Sequence, residues 1–172
     1  MKHAYRLTTE SKVKLTRILP MYKVRQVAPL ETSVHPFQMN DDGTFEAIVN
    51  MTVQWGHRIN GPPTFSDPIR FEYDSGADIC TMTTKQATAL GYDPTQGEVL
   101  QMEGVDGQPF DVHMQPVPCQ LPNITETLTF PMCTGDAVDC LLFGRYNAWN
   151  QFSKISQDID AKQLIFIRGA ST

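Results

Sequence analysis

Long apolar runs are missing from this sequence. Nothing in its 172 residues approaches the roughly 18 uninterrupted apolar positions that a membrane-spanning helix needs. A helical membrane protein is excluded. Residues Met1 to Arg25 are too basic and too polar throughout to hold the apolar heart of a secretory signal. The expectation is a soluble, unsecreted chain, cytoplasmic or intracellular, with no membrane partner. Cysteine is scarce and unpaired in pattern: Cys80, Cys119, Cys133 and Cys140 form no C-x-x-C, and their density is far below that of a disulfide scaffold. They read as mostly buried thiols. His113 lies near them, but the irregular spacing argues against zinc. His3, His35, His57 and His113 sit in unrelated contexts, without the spacing of a nucleophile and its base. No internal repeat or low-complexity tract occurs.

What is present suits one compact domain with an arm. Hydrophobic residues make up 41% of the chain and charged ones 19%, enough apolar content for a real core. The net charge of −5 hides an asymmetry. Lys2, Arg6, Lys12, Lys14, Arg17, Lys23 and Arg25 are half of all basic residues, and among the first 25 positions only Glu10 opposes them. A basic arm on an acidic body can bind nucleic acid, dock on its own domain or stay solvated. The segment has one aromatic, Tyr5, before Tyr22 and no nucleic-acid-binding motif, so nucleic acid is the less favoured partner. The division expected is an arm over 1–40 and a folded domain over 41–172.

Along the body, residues 33–39 and 44–55 alternate apolar and polar side chains around Asn40-Asp41-Asp42-Gly43, the composition of a β-hairpin. Gly56, Gly61, Pro62, Pro63 and Pro68 then make 56–68 a loop. Ile69 to Tyr73 reads as a short strand. Thr83 and Gln86 have capping-box spacing, and Gly91 supplies a stop, so 84–90 is predicted helical. Val99–Met102 and Phe110–Met114 read as strands around a glycine-bearing tip, followed by strands at Leu128–Cys133, Asp139–Leu142 and Gln163–Ile167 and a helix near Asn147–Ile155. Trp55 and Trp149 read as packing residues. The sum is mostly β with one or two short helices.

The chemistry-bearing feature is Asp74-Ser75-Gly76-Ala77-Asp78, which follows the strand Ile69–Tyr73 directly. A carboxylate at a strand end, followed by a hydroxyl and a glycine, presents its acid on a tight loop that another backbone can approach closely. Far downstream stands Cys140-Leu141-Leu142-Phe143-Gly144-Arg145, an apolar strand ending at glycine. With these parts in this order the sequence resembles the retropepsins, the single-domain aspartic proteases of retroviruses, LTR retrotransposons and some cellular proteins. The resemblance spans roughly residues 45–168.

It implies a closed acid-protease barrel that needs no metal, nucleotide or organic cofactor. It also implies that Asp74 is the catalytic acid, that Ser75 ties two active-site loops together, and that the Gly76 carbonyl meets the substrate backbone. Ala77 and Asp78 would line the substrate groove, while Gly104, Val105, Asp106 and Gly107 would form a flap over a bound peptide. Arg145, next to Gly144, would pair with Asp78 near the groove and dimer interface. Two departures stand out: Tyr73 replaces a smaller aliphatic residue, and Phe143 interrupts the usual Leu-Gly junction.

Hydrolysing a peptide with water needs a base for the water and an acid for the carbonyl oxygen at the same moment. Two close carboxyls divide these roles because like charges resist ionising together. This chain holds no second Asp-Ser/Thr-Gly. The expectation is therefore a homodimer in which each subunit contributes one Asp74, acting on a peptide or polyprotein substrate. The competing expectation is an inactive retropepsin-like module that dimerises and holds a peptide without cutting it.

Overall fold

The computed structural model describes residues 5–18, 30–56, 62–146 and 151–169. Among them the chain is mostly β. In order it forms β1 (Arg6–Leu7), α1 (Thr9–Ile18), β2 (Glu31–Met39), β3 (Phe45–Val53), β4 (Ile69–Asp74), β5 (Cys80–Thr81), α2 (Thr84–Ala89), β6 (Glu98–Glu103), β7 (Pro109–Gln120), β8 (Leu128–Thr134), β9 (Leu142–Gly144), β10 (Lys154–Asp158) and β11 (Gln163–Arg168).

The strands pair in the order β1-β6-β7-β8-β5-β9-β4-β3-β2-β11-β10, and β3 also pairs with β7. That extra pairing turns β7, β8, β5, β9, β4 and β3 into a ring. β1 and β6 extend from one side of it, and β2, β11 and β10 from the other. β2 runs antiparallel to both β3 and β11, so residues 31–39 are an integral part of the sheet.

Two apolar clusters fill the interior. The larger gathers Val49, Met51, Phe71, Val117, Phe130, Phe143, Phe152, Leu164 and Phe166 among others, with Trp55 packed against it. The smaller lies under the β6–β7 hairpin and includes Leu100, Met102, Val112, Met114 and Leu142, joined by Tyr5, Leu7 and Leu15 from the beginning of the chain. α2 begins as its sequence dictates, with the Thr83 hydroxyl accepting from the Gln86 N–H at 3.1 Å.

Three elements differ from the sequence reading. β7 continues past Met114 to Gln120 although Pro116 and Pro118 lie within it. Its partner β6 ends at Glu98, opposite Met114, and the Pro118 carbonyl accepts from Gln54 N–H on the side facing away from β8. In an antiparallel strand a residue's N–H and C=O point the same way, so the missing proline donors face a side that β6 has left. The strand expected over Asp139–Leu142 starts instead at Leu142. Residues 135–138 form a turn closed by Val138 N–H to Gly135 O, and Asp139 is engaged by Tyr5. The helix expected near Asn147–Ile155 gives way at its end to β10, where Lys154 and Ile155 pair with Ile167 and Phe166. Residues 147–150 of that segment, with Trp149, lie outside the described residues, as does His57.

Candidate active site

Two chain segments meet side by side at the site. β4 and β9 run parallel, with Glu72 opposite Leu142, Tyr73 opposite Phe143 and Asp74 opposite Gly144. Asp74 thus stands at the end of a strand whose neighbour ends in glycine. Gly144 is required there: a Cβ on it would lie 2.4 Å from the carbonyl carbon of Ile79, closer than any side chain can approach backbone.

The loop after Asp74 closes on itself. Asp74 Oδ1 accepts the Gly76 N–H at 2.7 Å, and Ala77 N–H donates to the Asp74 carbonyl at 3.1 Å. The Asp74 side chain is half-buried and Ser75 is exposed. The carboxylate is held in one orientation while part of it remains reachable.

Asp78 has a different environment. It is fully buried, and its Oδ1 accepts from Arg145 Nη2 at 2.6 Å. Its Oδ2 accepts the Leu7 N–H at 3.0 Å and lies 3.1 Å from Lys12 Nζ. Arg145 N–H donates to the Ala77 carbonyl, and Tyr146 N–H to that of Asp78, locking the two segments together through the backbone. The Asp78 carboxylate raises the pKa of the Arg145 guanidinium. A buried carboxylate needs such partners, because unpaired it would pay the full desolvation cost.

Asp74, Gly76, Ala77, Asp78, Gly144 and Arg145 therefore form one bonded unit. The tip at Gly104, Val105, Asp106 and Gly107 is held by its own turn, with Gly107 N–H on the Gly104 carbonyl at 3.1 Å and Gly107 at φ +72°. Val105 at its apex is 67% exposed.

The two aromatic departures belong together. Tyr73 and Phe143 are cross-strand partners with ring centroids 6.5 Å apart, and both pack on Phe166, at 6.1 and 5.4 Å. They thicken the core beneath the site. Burial, and then the charge of Asp74, pushes the Tyr73 hydroxyl above the usual tyrosine pKa.

Sequence reasoning missed Tyr5, Leu7 and Lys12, which reach this region from the basic arm. The signal lay in the apolar-polar-apolar pattern of Tyr5-Arg6-Leu7 and in helix-start chemistry. Lys12 N–H donates to the Thr8 carbonyl, Glu10 sits in the first turn of α1, and Arg17 in its last.

All four cysteines are free thiols, three of them buried, and burial raises their pKa values, that of Cys140 to about 12. They are poor nucleophiles. Among the described residues no group of three or more His, Cys, Asp or Glu side chains is placed to hold a metal ion. No described helix is long and apolar enough to cross a membrane.

No family model and no curated protein matches the chain. Solved structures do. A retropepsin-like aspartic protease from Rickettsia conorii aligns over 84% of this chain and 96% of its own, at 18% identity and a TM-score of 0.53. EIAV protease complexed with the inhibitor HBY-793 aligns over 63% of this chain and 89% of its own, at 19% identity and a TM-score of 0.40. The chain has a retropepsin-like fold.

Proposed function

We propose that the chain is an aspartic endopeptidase that works as a homodimer, with one Asp74 from each subunit meeting on the two-fold axis. The observation that carries this reading is the state of Asp74 within a retropepsin-like fold. It is a half-buried carboxylate fixed by the Gly76 amide at 2.7 Å, opposite a glycine that no side chain could replace.

Two such carboxylates, brought together, share a proton because both cannot ionise at short range. The ionised one accepts a proton from water as it attacks the peptide carbonyl. The protonated one donates to the carbonyl oxygen, giving the tetrahedral diol, and proton return to the amine completes cleavage. The backbone amide at Gly76 orients the acid, and the exposed Ser75 is the group available to bond across to a partner loop. An extended peptide would bind by main-chain hydrogen bonds, with pockets for alternate side chains, and apolar residues flank the cut.

Incubation with an apolar peptide library at about pH 4–6, where a shared-proton pair works, tests the reading. Cleavage by the wild-type chain that disappears in Asp74→Asn supports it. Cleavage that survives the substitution refutes it, and peptide binding without any cleavage favours the non-cutting module instead.

A further inference from the structure

The first described residues are held as a bound peptide strand would be. β1 lies antiparallel to the outer edge of β6, with Arg6 opposite Glu103 and Leu7 opposite Met102, and Thr8 N–H donates to the Gln101 carbonyl at 3.0 Å. The opposite edge of the same segment meets the loop after Asp74: Asp78 N–H donates to the Tyr5 carbonyl at 3.1 Å, and Leu7 N–H to Asp78 Oδ2 at 3.0 Å. Backbone groups thus alternate between β6 and Asp78.

The side chains alternate as well. Arg6 is exposed, while Tyr5 and Leu7 are 6% and 1% exposed. The Tyr5 ring stands edge-on to Phe110, with centroids 5.8 Å apart, and its hydroxyl donates to Asp139 Oδ1 at 2.5 Å. Leu7 joins Leu100, Met102 and Met114 in the smaller core. One pocket therefore suits an aromatic ring with a hydroxyl, and the next takes an aliphatic side chain.

We infer that the space between β6 and Asp78 is a cleft for an extended peptide of Tyr-x-Leu pattern, and that residues 5–8 are its built-in occupant. The inference deepens the peptidase reading and rests on it for the meaning of the neighbouring Asp74. Tethering gives the occupant an effective concentration of order mM. A peptide added in trans meets a cleft that is mostly filled, and its apparent affinity falls by the fraction left open. The segment is only two strand residues long and lies at the end of the sheet order, so peptide exchange need not break the ring of strands.

The test uses the full chain with Asp74→Asn, so that no probe is cut. A fluorescent synthetic peptide reproducing residues 1–12 is titrated against this chain and against one that also carries Tyr5→Ala and Leu7→Ala, with binding read by anisotropy. The expected result is at least about tenfold tighter binding to the triply substituted chain, the signature of a vacated cleft, and loss of that binding when the peptide's own Tyr or Leu is replaced by Ala. Equal binding to both chains overturns the inference.

Should the triple variant not fold, hydrogen exchange on the chain carrying Asp74→Asn alone decides. Saturating peptide should strip protection from the Leu7 and Thr8 amides while that of Asp78 stays protected; unchanged protection at Leu7 and Thr8 overturns the inference. Library cleavage by the wild-type chain is scored separately. Binding without cleavage removes the peptidase reading and leaves the cleft, whereas cleavage without peptide exchange does the reverse.

Discussion

Asp74 and Asp78 share one loop and differ in almost everything physical. Asp74 is half-buried and takes its hydrogen bond from the Gly76 amide; Asp78 is fully buried between Arg145, Lys12 and the Leu7 amide. An acid whose oxygens face two cations and a backbone N–H is occupied in holding neighbouring strands rather than in passing protons. One held by a single amide can be both positioned and reactive. Within the Asp-Ser-Gly-Ala-Asp run the first carboxylate is therefore suited to chemistry and the second to holding the site together.

The largest effect expected is on activity. Asp74→Asn should lower cleavage on the order of 10³-fold or more, because amide replaces both the proton donor and the acceptor of the pair. Its thermal unfolding should stay close to wild type, since only a loop hydrogen bond changes. A large loss of thermal stability would mean that Asp74 is structural like its neighbour, which erases the contrast.

Asp78→Ala should act in the opposite sense, on stability first. It removes the buried carboxylate that both Arg145 and Lys12 face. Those cations are 33% and 37% exposed, which discounts the usual cost, so about 3 kcal/mol is expected in urea unfolding. A loss below about 0.5 kcal/mol would show that solvent already screens the cluster.

His35 sharpens the comparison as a buried titratable group with no opposite charge beside it among the described residues. It is 1% exposed, its Nδ1 accepts the Asn50 N–H at 3.2 Å, and its Nε2 stands 2.9 Å from Ser33 Oγ. Accepting at Nδ1 requires the neutral ring with its proton on Nε2. Burial lowers its pKa from 6.5 to about 4. The folded state thus favours the neutral form, so this contribution is complete above about pH 6.5 and is lost as pH falls from there toward 4. Between pH 7 and pH 5 the stability should drop by about 2 kcal/mol, and His35→Asn, which cannot titrate, should flatten that part of the profile. An unchanged slope in the variant would contradict the assignment.

The smallest effect concerns the docked arm. Tyr5→Phe keeps the ring against Phe110 and removes the hydroxyl that bonds the Asp139 carboxylate and the Ala137 carbonyl and accepts the Asp139 N–H, for an expected loss of about 1 kcal/mol in thermal or urea unfolding. No measurable change would show that the hydroxyl is equally well satisfied by water.

The elements around Asp74 were legible because their signals are local. The β2–β3 hairpin follows from alternation around Asn40-Asp41-Asp42-Gly43, α2 from the Thr83 cap, and β4 from an apolar run that ends at the acid. What escaped depends on contacts distant in sequence. Tyr5 meets Asp139 and Lys12 meets Asp78, so a basic arm that composition leaves open is partly core in the fold. β10 is mostly polar and exists because Ile155 and its neighbours pair with β11, which no window of residues 154–158 reveals. Pro116 and Pro118 hid the length of β7, since the side they leave without donors is known only once the neighbours are placed.

The central claim is that the reactive site forms only when two copies of Asp74 come together, and subunit mixing tests it most directly. Wild-type chain held at fixed concentration is equilibrated with increasing Asp74→Asn chain, and peptide cleavage is followed. The account predicts that activity falls toward zero as wild-type subunits are drawn into mixed pairs. Activity that stays constant throughout the titration would contradict it, because each chain would then carry a complete site of its own.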